Sequence, residues 1–202
     1  MAVDEYLKLN NIQLDALREV GNIGAGNAAT ALSKLISSRV EMSVPDIKIL
    51  SFPEIVSTIG GAETSVAGIC LQIQGEAPGT ILFLIPDTDA VQIVCTLLKK
   101  RNVQFFNDEL ACSALVELGN ILAGSFLNAL GEFTSICFIP TVPALCIDMV
   151  GAILGSILYK LGMASDYVLF IKTDFRYQGK NGIGYLYYLP ESEALQKILS
   201  AL

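Results

Sequence analysis

The chain has 202 residues and is acidic, with 20 Asp and Glu against 13 Lys and Arg and a net charge of −7. Nucleic-acid binding needs clustered basic residues that follow the phosphates, so this balance predicts a protein that does not bind nucleic acid. The absence of histidine excludes Ser-His-Asp and Cys-His catalysis and removes the commonest transition-metal ligand. Any chemistry therefore rests on carboxylates, amides, hydroxyls and backbone groups.

The high apolar content raises the question of membrane insertion. Apolar residues make up 52% of the chain, and the mean hydropathy is +0.55. A spanning helix needs about 20 mostly apolar residues in a row, whereas the best candidate run, residues 149–158, is too short. The first residues lack the basic and apolar regions of a secretory signal. We therefore expect a cytoplasmic protein that does not insert into a membrane.

The first half of the chain is predicted to begin with a long amphipathic helix over residues 11–36, where apolar residues recur at helical spacing. A strand over residues 40–44 follows and leads to Pro45. A pair of strands joined by a Gly/Pro turn is typical of antiparallel pairing. This pair and a closing helix are predicted at residues 65–73, 80–85 and 87–99.

The second half is predicted to follow the same order, with one additional helix over residues 143–161. The other elements are a long helix, a strand, a strand pair and a closing helix, at residues 108–130, 136–139, 167–173, 184–189 and 191–202. Helices and strands in this mixed order predict an α+β protein in which helices cover one antiparallel sheet.

An internal duplication explains why the two halves share this order. Residues 15–32 align without gaps with residues 113–130 at an offset of 98 residues, and the register continues to Pro45 and Pro143. Self-similarity of this kind indicates repeated units that share a core. We expect a single domain over residues 1–202 with a pseudo-two-fold axis. Its two repeats are predicted over about residues 8–100 and 106–202.

Each long helix presents a stripe of three polar residues, because positions i, i+4 and i+7 of a helix lie on one face. The two stripes are Asp15, Glu19 and Asn22 in the first helix, and Ser113, Glu117 and Asn120 in the second. A glycine precedes each asparagine, at Gly21 and Gly119, although glycine inside a helix costs about 1 kcal/mol relative to alanine. We expect these glycines to let another protein approach the stripe closely.

The residue types in the stripes fit the hydrolysis of an acyl phosphate. Such a phosphate is already activated, so its hydrolysis needs mainly a positioned water and neutralised charge. A carboxamide can orient the water without titrating, as the catalytic glutamine of small GTPases does. A carboxylate can pair with a lysine of the substrate protein. Neither role needs a histidine.

The stripes and the prolines resemble the signature of the CheC/CheX/FliY phosphatases of bacterial and archaeal chemotaxis. That signature reads Asp/Ser-x3-Glu-x2-Asn-x22-Pro, and it occurs twice here, ending in Pro45 and Pro143. The resemblance covers essentially the whole chain. Two intact sites in a chain of this length resemble the CheC branch of the family more than the single-site CheX branch.

The resemblance implies a role for each residue of the signature. The two asparagines would position the water, and the two glutamates would pair with a lysine of the receiver. Asp15 and Ser113 would support docking, while the prolines would fix the chain beside each site. The implied substrate is a phosphorylated CheY-type receiver that supplies Mg²⁺, so this chain would need no cofactor of its own.

The resemblance also implies a second partner. Proteins of the CheC type bind the receptor deamidase CheD, and the predicted helix that includes Ile147, Asp148 and Met149 resembles the segment used for that contact. Asp148 is therefore the expected partner-binding residue. Two alternatives to the phosphatase remain: a non-enzymatic adaptor that regulates CheD, and a structural flagellar component, which would carry a further C-terminal domain.

Two simpler interpretations compete with a functional site. Exposed Glu and Asn residues are often only solvated surface groups, but their matched spacing in both repeats favours a function. Residues 24–29 superficially match the G-x-G-x-x-A nucleotide motif, which must follow a strand and open a helix. Here they lie inside the predicted first helix, so we expect these small residues to allow close helix packing instead.

Overall fold

A computed structural model describes residues 11–105, 108–161, 167–177, 180–191 and 193–202. These residues form helices and strands in mixed order. The first half contains α1 (Asn11–Ile36), β1 (Val40–Ser51), α2 (Phe52–Thr58), β2 (Ser65–Gly75), β3 (Gly79–Pro86) and α3 (Asp87–Leu98). The second half contains α4 (Glu109–Thr134), β4 (Phe138–Pro140), β5 (Ala144–Met149), α5 (Val150–Leu161), β6 (Tyr167–Tyr177), β7 (Lys180–Pro190) and α6 (Ala194–Ala201). The predicted long helices, strand pairs and closing helices are confirmed to within a few residues.

The strands form one seven-stranded antiparallel sheet. Their order is β1-β6-β7-β3-β2, and the outer side of β2 pairs with β4 and β5. This order is symmetric about the central pair of β3 and β7. The strand β6 of the second repeat takes the place that β2 has in the first repeat, and β4 with β5 takes the place of β1. Each repeat therefore places its first strand beside the other repeat, as a pseudo-two-fold axis requires. The predicted α+β class, with a duplicated antiparallel sheet covered by helices, is confirmed.

Helices cover both faces of the sheet and form two cores. The larger core includes residues of α1, α3, α4 and α6, and the smaller core includes residues of α2 and α5. The central strand β3 contributes to both, with Ile81 and Phe83 in the larger core and Leu82 and Leu84 in the smaller one. A strand buried on both faces has a continuous apolar sequence rather than an alternating one. This double burial accounts for part of the high apolar content.

Helix α4 bears on the question of membrane insertion. Among the described helices, it is the one with the length and composition needed to cross a membrane, and it lies outside the candidate run predicted from the sequence. Its apolar side packs in the larger core through residues that include Leu115, Leu118 and Leu130. Such an apolar face is usual for a helix that contributes to a core. The packing of α4 within the fold therefore accounts for its composition.

The prediction was wrong for the element that follows Pro143. This segment begins with the strand β5, and α5 starts only at Val150. Leu145 and Ile147 pack against the larger core, whereas Asp148 is exposed, which is the period-two alternation of a strand. The helix is also not an addition to the second repeat, because α2 follows β1 as its shorter counterpart.

The first edge strand is longer than predicted. The expected strand ended before Pro45, but β1 continues through this proline to Ser51. Proline interrupts a central strand because it cannot donate to the hydrogen-bond ladder, whereas an edge strand tolerates it. Because β1 lies at the edge of the sheet and pairs only with β6 along the described strands, the proline does not end it.

Candidate functional site

The two polar stripes lie on the exposed faces of α1 and α4. Every member of both stripes is exposed: Asp15, Glu19 and Asn22 on α1, and Ser113, Glu117 and Asn120 on α4. The opposite side of each helix is anchored in the larger core, where Leu17 of α1 and Leu115 of α4 are fully buried. This packing fixes the rotation of each helix about its axis, so that both stripes face outward.

Asp108 caps the start of the helix that carries the second stripe. Its carboxylate accepts the N–H of Ala111 at 3.0 Å and a hydrogen bond from Lys100 Nζ at 2.6 Å. The hydrogen bond from Lys100, followed by that from Ala111, holds the pKa of Asp108 below its ordinary value. The cap therefore stays charged at neutral pH, and it satisfies a backbone donor that the helix leaves unpaired.

The two stripes differ in the charges beside them. Arg18 Nη1 lies 3.3 Å from Asp15 Oδ1, and both side chains are exposed. The second repeat has Ser113 and Val116 at the corresponding positions, so it has neither the carboxylate nor the cation. An exposed ion pair contributes little to stability. The pair therefore changes the electrostatic surroundings of the first stripe rather than its folding.

The glycines beside the two asparagines are buried against the protein's own sheet. A Cβ atom at Gly21 would lie 3.1 Å from Ile47 Cδ1 and 3.3 Å from Val44 Cγ1. A Cβ atom at Gly119 would overlap Ile69 Cγ2. The expectation that these glycines admit another protein is therefore wrong, because they let each helix approach a strand of the same chain.

Small residues further along α1 allow close packing between the helices. A Cβ atom at Gly24 would lie 3.1 Å from Phe126 Cα in α4, whereas Gly26 is exposed and has nothing within 4 Å. The prediction of close helix packing is confirmed at Gly24. Residues 24–29 lie inside α1 and do not follow a strand, so they do not form a nucleotide-binding turn.

Pro45 lies in a β-bulge at one edge of the sheet, and Pro143 lies in the short break between β4 and β5 at the other edge. Between Ser43 and Asp46, β1 uses one more residue than its partner β6. The same excess of one residue occurs between Pro140 and Ala144, where β4 ends and β5 begins along their common partner β2. Bulges bend an edge strand and are common beside functional sites. Proline is tolerated in a bulge because it has no N–H to donate.

The first bulge lies close to the first stripe. Val44, which directly precedes Pro45, contacts the position of Gly21, and Gly21 directly precedes Asn22. In the second repeat, the atoms nearest to the corresponding glycine position belong to Ile69 of β2. In the first repeat, the residue before the signature proline therefore packs directly beside the stripe.

Asp148 lies on the exposed side of β5, facing away from the core that anchors α4. It lines a groove of about 700 Å³ between β2, β5 and α5, together with residues such as Ala152 and Ser156. Its carboxylate accepts the N–H of Met149 at 2.7 Å. The predicted partner-binding residue is therefore accessible, but it lies on an edge strand rather than on a helix.

The stripes offer a carboxylate and a carboxamide to an approaching partner. Among the described residues, no group of three or more Cys, Asp and Glu side chains lies close enough together to hold a metal ion. Asn and Glu three positions apart on a helix are surface neighbours, with Cβ atoms about 5–6 Å apart. Such a pair can orient a water and bind a cation at the same time, but it contains no strong nucleophile.

The comparisons with known proteins assign the chain to a family. Residues 12–49 and 110–147 match the model of the CheC-like family. The chain is 36% identical to the CheY-P phosphatase CheC of Bacillus subtilis over 195 residues, which cover 94% of this chain and 93% of that protein. The chain belongs to the CheC-like family. The two matched segments of this CheC-like protein each contain one complete polar stripe and the proline that follows it, so the family resemblance is confirmed.

Solved structures share the fold of this CheC-like protein. Thermotoga maritima FliY superposes with a TM-score of 0.76 and 17% identity, covering 96% of each chain. A chain of the CheX–CheY–BeF3–Mg²⁺ complex of Borrelia burgdorferi superposes with a TM-score of 0.50 and 16% identity, covering 92% of this chain and all of that one. At these identities the likeness concerns the fold alone.

Proposed function

We propose that this CheC-like protein is a phosphatase that hydrolyses the aspartyl phosphate of a CheY-type receiver, with one site on α1 and one on α4. The observation that carries the proposal is an exposed Glu-x2-Asn pair at the same place in two equivalent helices. The relative from Bacillus subtilis is a CheY-P phosphatase and aligns with nearly the whole chain, which supports the reaction type.

The proposed reaction needs little from this chain beyond positioning. The receiver presents its aspartyl phosphate and Mg²⁺ to one stripe, and Asn22 or Asn120 orients a water in line with the phosphorus. The water attacks phosphorus, the bond between phosphorus and the aspartyl oxygen breaks, and the aspartate is released as a carboxylate while inorganic phosphate keeps both protons of the water. Glu19 or Glu117 pairs with a lysine of the receiver and holds the two proteins in register. Asp15 and Ser113 support docking.

The test follows the loss of phosphate from a phosphorylated CheY-type receiver with Mg²⁺ present. We expect this protein, added at a small fraction of the receiver concentration, to accelerate the loss over the spontaneous rate. Acceleration by a substoichiometric amount requires turnover. A rate equal to the spontaneous one, on receivers from the same organism, would contradict the proposal and leave the stripes as a docking surface.

We expect the activity to require no metal bound to this chain. The described residues contain no cluster that could hold a metal ion, so the receiver is proposed to supply the Mg²⁺. Treatment of this protein with EDTA, followed by desalting, should leave its activity unchanged in an assay that contains Mg²⁺. Titration of Mg²⁺ into this protein alone should give no saturable heat. Saturable binding, or activity that Mg²⁺ does not restore, would contradict this expectation.

We further propose that the groove beside Asp148 binds CheD, so that the adaptor function accompanies the phosphatase. The observation that favours this role is an accessible groove of about 700 Å³ that is lined by Asp148, the residue for which the family resemblance implies a contact with CheD. Asp148→Lys should abolish CheD binding in a titration and leave phosphate release from the receiver unchanged. Glu132→Lys makes the same charge change at an exposed position of α4 and should leave both unchanged. Equal CheD binding by the two variants would refute this role.

We propose that the protein acts in the cytoplasm, together with the receiver that is its proposed substrate. Fractionation of cells that produce the protein should recover it with cytoplasmic markers. Recovery in the membrane fraction after washing with high salt would contradict this location.

A further inference from the structure

Two large apolar side chains are exposed at equivalent positions of α1 and α4. Ile12 is 74% exposed and Leu110 is 57% exposed, and they are separated by the repeat offset of 98 residues. A single exposed apolar residue on a protein surface needs no explanation. Here the same exposure occurs in both copies of the duplicated unit, so the position on the helix decides what the two side chains can contact.

These residues lie on the same helix face as the polar stripes. Ile12 precedes Asp15 by three positions and Glu19 by seven, and Leu110 precedes Ser113 and Glu117 by the same intervals. Side chains at positions i, i+3 and i+7 share a face of a helix. Each stripe is therefore extended toward the start of its helix by one apolar residue.

The neighbouring exposed positions have diverged between the repeats, whereas this position stays aliphatic. Asp15 corresponds to Ser113, and Arg18 corresponds to Val116. Core positions such as Leu17 keep their character because they are buried, but packing against the described residues does not explain why Ile12 and Leu110 are both aliphatic. Docking of a partner on this helix face would account for both their exposure and their retention.

We infer that Ile12 and Leu110 dock against an apolar patch beside the phosphorylation pocket of the receiver and set how tightly it binds. This inference rests on the proposed function. Ile12 lies ten positions before Asn22, or about 15 Å along the helix axis. A typical interface of about 800 Å² per partner is roughly 30 Å across, so one centred on the asparagine reaches the aliphatic residue. A receiver docked at the stripe therefore reaches the aliphatic residue.

The test combines Ile12→Ser and Leu110→Ser in the full chain and measures phosphate release over a range of receiver concentrations. Loss of an aliphatic contact at the edge of an interface should raise KM about tenfold and leave kcat within about twofold. Binding of the beryllofluoride-activated receiver should weaken by the same factor. Restoring aliphatic groups with Ile12→Leu and Leu110→Ile should return KM to the wild-type value.

A matched control lies at the other end of the same helices. Leu35 and Phe133 are also separated by the repeat offset and are 52% and 44% exposed. Leu35→Ser with Phe133→Ser should leave KM unchanged. Three outcomes would overturn the inference while the phosphatase stands. They are an unchanged KM in the variant of Ile12 and Leu110, a fall of kcat alone in that variant, and an equal rise of KM in the control. A wild-type protein that neither binds nor dephosphorylates the receiver would overturn both.

Discussion

Replacing both stripe asparagines, Asn22→Ala with Asn120→Ala, is expected to abolish most of the acceleration of phosphate loss. The carboxamides are the groups proposed to orient the attacking water, and removal of one positioned hydrogen-bonding group from a reaction centre typically costs about 100-fold or more in rate. Each single variant should keep the activity of the intact site. The rates of the two single variants therefore rank the sites on α1 and α4, which differ in the ion pair beside Asp15.

The loss should come from chemistry rather than from unfolding. Both asparagines are exposed, and exposed substitutions usually change the free energy of unfolding by less than about 0.5 kcal/mol. The controls are Asn27→Ala and Asn128→Ala, which remove exposed carboxamides of the same helices outside the stripes. If these controls lose as much activity as the stripe variants, or if the double variant retains wild-type activity, the asparagines do not orient the water.

The end of α1 was predictable because helical periodicity continues without interruption to Ile36 and is then followed by a strand pattern. The junction between β5 and α5 was not. Leu145 and Ile147 follow a period of two, and Ile153 and Ile157 follow a helical period. The strand ends at Met149 and the helix begins at Val150, and neither of these two residues is a glycine or a proline that would mark the boundary. A strand and a helix in direct succession therefore appear as one apolar run.

The composition of the stripes was also predictable, because it depends only on spacing along one helix. The surroundings of the stripes depend on tertiary contacts. Gly21 packs on β1 while Gly119 packs on Ile69 of β2, a difference between the repeats that no local pattern indicates. Pro45 could likewise be recognised as part of the signature, but its position in a bulge depends on the register between β1 and β6.

The two interpretations of Gly119 predict different outcomes for Gly119→Ala. An added Cβ would overlap Ile69 Cγ2 and lie 3.0 Å from Ile69 Cδ1. Because Ile69 is fully buried, it cannot move aside easily. Overpacking of this kind costs about 1–3 kcal/mol, and the gain in helix propensity of about 1 kcal/mol offsets part of it. We expect a net loss of up to about 2 kcal/mol in the free energy of unfolding, measured by urea denaturation.

Gly124→Ala supplies the control within the same helix, because a Cβ atom there has nothing within 4 Å. This variant should be unchanged or more stable by up to about 1 kcal/mol, since alanine favours the helix. If Gly119 instead served to admit the receiver, Gly119→Ala would retain or gain stability and lose phosphatase activity. A drop in stability with activity that persists in the folded fraction would show that the glycine serves the approach of α4 to β2.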